Sequence, residues 1–137
     1  MLPTKSVLAL LLSGSVMTAA EPAPKVVKLD AQGKGHLAIL SGPPETVTMR
    51  SGLVVLEPGK AVGKHSTGAN EELLVVLEGT GEFRILDGEN LPLVGGTALY
   101  CPTNRSHDVF NTGKTTLRYV YITASTRVLP TQPGLAH

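Results

Sequence analysis

The stretch GKAVGKHSTGANEELLVVLEG, residues 59–79, decides the reading of this 137-residue chain. A Gly-rich turn leads to His65. A second turn leads through Glu71 and Glu72 into the apolar run LLVVLE, which Gly79 closes. A later stretch, GTALYCPTNRSHDVFN, residues 96–111, has the same texture: a short apolar run, a turn centred on Pro102, then His107 at the head of another apolar run. Two imidazoles and a carboxylate on short, apolar, turn-bounded segments form a ligand set for a divalent transition metal, with iron, manganese, nickel, copper and zinc all compatible. The carboxylate needs such a partner, because burying it at the edge of an apolar run is costly unless it is paired or bound to a cation. The run LLVVLE is apolar throughout, which predicts a strand buried on both faces.

Outward from these two stretches the same pattern continues. Apolar runs fall at 25–29 (KVVKL), 36–40 (HLAIL), 45–49 (ETVTM), 52–57 (GLVVLE), 72–78 (ELLVVLE), 81–86 (GEFRIL), 90–94 (NLPLV), 97–100 (TALY), 107–110 (HDVF) and 117–123 (LRYVYIT). Between them stand breakers such as SGPP, Asp87-Gly88, Gly95-Gly96 and Asn111-Thr112-Gly113. No run has the length or the 3.6-residue period of an amphipathic helix. Many short strands at near-even spacing predict an all-β sandwich or barrel, the jelly roll included. Pro92 offers no ladder N–H and so marks an edge strand or a turn. Asp87-Gly88 suits a tight hairpin, with Gly88 as the natural site of positive φ.

The two stretches resemble the two motifs of the cupin family. The first motif runs Gly, five residues, His-x-His, three or four residues, Glu, six residues, Gly; the second runs Gly, five residues, Pro-x-Gly, two residues, His, three residues, Asn. Gly59, His65, Glu72, Gly79, Gly96, Pro102, His107 and Asn111 match, eight of ten fixed positions. Thr67 stands where the motif has its second His, and Asn104 stands where it has Gly, a change that Asn tolerates because it accepts left-handed backbone. The resemblance implies a double-stranded β-helix, or jelly-roll barrel, spanning 21–125, with residues 126–137 as an irregular tail. It also implies His65, Glu72 and His107 as metal ligands. Adjacent strand residues face opposite ways, and the six-residue gap to Gly79 selects Glu72 over Glu71. Thr67 and Cys101 are candidate pocket residues by their positions in the motifs, though a free cysteine more commonly serves as a small buried hydrophobe, the reading preferred for Cys101. His36 and His137 have no partner pattern.

The first twenty residues read as a secretory signal: Lys5, an apolar stretch from Val7 to Leu12, and small residues Thr18-Ala19-Ala20 before Glu21. Ser13-Gly14-Ser15 interrupts the apolar stretch, which is too short to span a bilayer, so the expectation is an exported protein, periplasmic or secreted, without a membrane anchor after cleavage. Twelve Lys and Arg less Lys5 leaves eleven, against eleven Asp and Glu, a formal balance of zero. That balance gives no basic footprint for nucleic acid. Cys101 is the single cysteine, so no internal disulfide staples the fold.

Fold resemblance does not choose a function. Three classes stay open: a small metal-dependent oxygenase or isomerase; a non-catalytic protein that binds or senses a small molecule or metal; and an interaction protein that pairs through sheet edges such as KVVKL. A homodimer is compatible with all three.

Overall fold

The computed structural model describes residues 21–126, so the signal segment at 1–20 and the tail beyond 126 lie outside the described residues. Nine strands carry the chain: β1 His36–Ser41, β2 Arg50–Leu56, β3 His65–Ser66, β4 Asn70–Glu78, β5 Thr80–Ile85, β6 Asn90–Val94, β7 Ala98–Cys101, β8 Ser106–Phe110 and β9 Leu117–Ser125. They form two antiparallel sheets, one ordered β1-β2-β9-β4-β7 and the other β3-β8-β5-β6. This is the double-stranded β-helix of the cupins, all-β as the run pattern predicts.

Alternation explains the layering. On β4 the inward positions Glu72, Leu74 and Val76 are 6%, 1% and 1% exposed. Leu74 and Val76 meet Phe83, Leu93, Val109, Leu117 and Tyr119 in one core between the sheets. Side chains of period two put every second residue on the same face. The outward residues Leu73 and Leu77 are exposed. The reading of LLVVLE as buried on both faces is therefore corrected: the apolar content of β4 is uniform, but only one face is covered.

Gly79 alone joins β4 in one sheet to β5 in the other. Its φ is +88°, and an added Cβ would lie 2.4 Å from the Thr116 carbonyl oxygen, so the crossing requires glycine. Asn111 locks the far side of the barrel. Fully buried, it donates from Nδ2 to the carbonyls of Leu56 (2.8 Å) and Thr115 (2.9 Å), while Oδ1 accepts from Gly113 N–H (2.9 Å).

Three local expectations change. Residues 25–29 and 45–49 are not strands; a Lys25–Glu45 ion pair links these segments instead. KVVKL is therefore not a sheet edge available for pairing. In the β5–β6 hairpin the left-handed residue is Asp87 (φ 57°) rather than Gly88, whose added Cβ would instead crowd Ile85. Pro92 does sit on an edge strand, β6, where its missing N–H disrupts no inner ladder, and Asn104 takes the left-handed conformation (φ 59°).

Candidate metal centre

The two sheets contribute unequally to the site. β3 and β8 pair with His65 opposite His107, and their rings stand 4.4 Å apart, edge to face. Glu72 comes from the other sheet, where it sits in register with Cys101 on β7 and Thr123 on β9. One ligand atom each from His65, Glu72 and His107 can be chosen so that all lie within 4.8 Å of one another. His107 is 1% exposed and stacks on Phe83 at 4.4 Å, while His65 is exposed at the mouth.

Hydrogen bonding orients both imidazoles. His65 Nδ1 lies 2.8 Å from the Gly63 carbonyl, and His107 Nδ1 lies 3.0 Å from the Arg105 carbonyl. A carbonyl only accepts, so in the neutral rings Nδ1 carries the proton and Nε2 keeps its lone pair. Each histidine is thus fixed by the carbonyl two residues before it, the arrangement that prepares imidazole for a metal. On the other side of His107, Nε2 lies 3.1 Å from Glu72 Oε2. The two atoms are not aligned for a hydrogen bond, and Glu72 Oε2 is a buried oxygen without a hydrogen-bond partner. An orphaned buried carboxylate oxygen beside a free imidazole lone pair is costly by itself. A divalent cation between them satisfies both. The donor set and this orphan fit a transition metal.

Electrostatics agree with the geometry. Burial pushes the His107 imidazole down, but the Glu72 carboxylate and then the Arg105 carbonyl outweigh it, and the net shift is upward. Burial, with Glu72 behind it, pushes the Tyr119 and Tyr121 hydroxyls up, so both stay protonated at neutral pH. The sign for pH follows. In metal-free protein the raised His107 contributes stability that is fully present below the ordinary imidazole value and lost as pH rises through the raised one. A metal reverses this, because it needs the neutral ring. The expected outcome is that zinc raises the melting temperature more at pH 8 than at pH 6. Calorimetry with and without zinc checks it, and an equal increment at both values would contradict it.

The remaining candidates separate. Thr67 lines the triad's cavity, and its hydroxyl donates to the Asn70 carbonyl (3.1 Å). Cys101 does not line that cavity. It is 2% exposed, and its sulfur lies 3.8 Å from His107 Nδ1, the side turned away from the ligand set. Burial, then Glu72, pushes its thiol up, which disfavours the reactive thiolate. Glu71 faces outward, where its carboxylate accepts from the Tyr100 hydroxyl (2.7 Å). His36, which has no partner pattern in the sequence, and Tyr121, an aromatic that sequence leaves between core and pocket wall, also line the cavity. They are 85 positions apart, and no local motif joins them.

Introducing the missing imidazole by Thr67→His is expected to tighten zinc binding by about tenfold, since it adds a fourth protein ligand. A competitive chelator titration measures this, and unchanged affinity would mean that position 67 cannot reach the ion.

This chain belongs to the cupin family: residues 52–123 match the cupin domain Cupin_2. Among curated proteins, an oxalate-binding protein of Thermotoga maritima is 31% identical over 67 residues, covering 49% of this chain and 54% of that protein. The chain thus matches only about half the length of that relative. Solved structures share the fold. A Bacillus halodurans protein superposes with a TM-score of 0.65 at 22% identity, covering 85% of this chain and 89% of that one. A cupin of Methanocaldococcus jannaschii, described as RmlC-like with a double-stranded β-helix, gives 0.62 at 19% identity, with coverage of 74% and 91%.

Proposed function

We propose that this protein is an exported small cupin that holds one divalent transition ion through His65, Glu72 and His107 and binds a small oxygen-donor molecule in the cavity above it. The observation that carries this reading is the orphaned, buried Glu72 oxygen beside the Nε2 lone pair of His107, with both histidines turned by backbone carbonyls to present that nitrogen. Such a metal supplies Lewis acidity. The protein's own residues fix the ligand orientation, and the Val54, Val62 and Val109 side chains give the cavity an apolar wall. Three protein ligands leave coordination positions for a second molecule.

The Thermotoga relative's named ligand supplies the first probe. Oxalate added to zinc-loaded protein should give a calorimetric binding signal that the His65→Ala/His107→Ala double variant lacks. An identical signal in both proteins would place the anion elsewhere and remove this reading.

Beyond the triad, His36 is the one further imidazole among the described residues that line the cavity; turnover of a bound molecule, as opposed to binding alone, would require such a group as general base. Export rests on the Lys5-led apolar segment ending at Ala20. Mass analysis of the protein recovered outside the cytoplasm should show a start at or near Glu21, and an intact Met1 there would contradict it.

A further inference from the structure

The triad's cavity is also lined by a second polar pair, His36 and Tyr121. His36 Nε2 and the Tyr121 hydroxyl are 3.1 Å apart, and their rings are stacked, with centroids 5.9 Å apart. They come from separate strands, β1 and β9, and β2 runs between them. At the matching position β2 carries Gly52, in register with Tyr121 on one side and Ala38 on the other. An added Cβ there would lie 2.6 Å from His36 Nε2, 2.7 Å from Tyr121 Cε1 and 2.9 Å from the Tyr121 hydroxyl. Gly52 does not have positive φ, so backbone conformation does not require glycine. The space above it is what glycine provides, and the dyad fills that space.

The cavity that triad and dyad both line measures about 320 Å³. That is roughly ten water volumes at about 30 Å³ each, more than the six heavy atoms of oxalate need. The rest of its wall is Val54, Val62, Val109 and Tyr119 with Thr67 and Thr123, and no lysine or arginine among the described residues lines it. Such a wall desolvates whatever crosses it, and a charge there would go unpaired. A tyrosine hydroxyl paired with an imidazole offers both a donor and an acceptor.

We propose that the His36–Tyr121 dyad, seated on Gly52, is the second anchor of the binding site, and that the ligand is ring-sized, with an apolar body and an uncharged oxygen group that reaches the dyad. This rests on the reading of the triad as a metal-anchored ligand site. It adds the chemical class of the ligand: a neutral-tailed ring compound rather than a compact dianion.

The test uses two probes on zinc-loaded, full-length protein, zinc being redox-inert. Catechol carries an oxygen-donor head alone; 3,4-dihydroxybenzaldehyde adds a neutral carbonyl at the far side of the ring. Calorimetry should find the aldehyde bound about tenfold more tightly than catechol. In Tyr121→Phe the ratio should fall to near one, with zinc affinity and catechol affinity unchanged, and the exposed-site variant His36→Ala should lower the same ratio. Those unchanged affinities show that a variant is folded and its triad intact, which a merely structural tyrosine would not guarantee. An undiminished ratio in Tyr121→Phe, with catechol still bound, overturns the dyad proposal alone. Absence of catechol binding by zinc-loaded wild-type protein overturns the ring-ligand proposal, and absence of both catechol and oxalate binding overturns the small-molecule reading with it.

Discussion

Replacing His107 with alanine is expected to lower divalent-metal affinity by more than about 100-fold, beyond the 10- to 100-fold typical of losing a residue that merely supports a ligand. It should also destabilise the metal-free fold by about 3–4 kcal/mol. Two causes combine. The ring is 1% exposed and stacked on Phe83, so its removal opens a cavity in the core. Glu72, itself 6% exposed, then loses His107, its ion-pair partner among the described residues when the ring is protonated, and remains as a buried, isolated carboxylate. The contrast with Glu72→Gln isolates the second cause. That variant should also lose metal, yet its metal-free form should be as stable as the parent or more so, because the orphaned Glu72 oxygen is a cost in the absence of a cation. Urea denaturation with chelator present measures both, and equal destabilisation by the two variants would contradict this account of the site.

The second large effect lies away from the metal. Asn111→Ala removes two donors and one acceptor that are fully buried, leaving the Leu56 and Thr115 carbonyls and the Gly113 N–H without their partner. Each orphaned group costs about 1–3 kcal/mol, so the expected loss is about 3–5 kcal/mol, a fall in melting temperature on the order of 10–20 °C for a domain of this size. Metal affinity of the protein that remains folded should be unchanged, because Asn111 touches none of the three ligands. A thermal scan showing a shift of a degree or two would mean that the Asn111 bonds contribute little net stability.

Sequence revealed most of the architecture because strand and turn chemistry is local. The runs at 36–40, 52–57, 72–78, 81–86, 90–94, 97–100, 107–110 and 117–123 each correspond to a strand, shifted by a few residues at the ends. The runs at 25–29 and 45–49 look identical locally but lack a ladder partner. Whether a neighbouring strand exists is a property of the whole fold, and side-chain links such as Lys25–Glu45 and the Arg118 bond to the Leu29 carbonyl hold these segments instead. The exposed outer face of β4 was hidden for a related reason: Leu73 and Leu77 are as apolar as Leu74 and Val76, and composition does not record which face is covered.

The site divides along the same line. His65, Glu72 and His107 were legible because their spacing is carried within two continuous segments, each bounded by its own turns. The preference for Glu72 over Glu71 has a visible counterpart in burial and facing, with Glu71 engaged by Tyr100 on the outside. The dyad was not legible. His36 and Tyr121 are brought together only by the β1-β2-β9 order, and Gly52 looks like any strand glycine until the atoms above it are known. Cys101 admitted two readings in sequence, a pocket position beside Pro102 or a small buried hydrophobe, and its 2% exposure, with the sulfur on the Nδ1 side of His107, agrees with the second.

Whether three residues from two sheets hold one metal ion is decided by metal analysis of protein purified without a histidine tag, beside the His65→Ala/His107→Ala double variant prepared identically. The parent is expected to carry close to one transition-metal ion per chain and the variant almost none. Equal metal content in the two, or a parent that takes up no divalent ion when dialysed against zinc, manganese, nickel, copper and iron in turn, would contradict it.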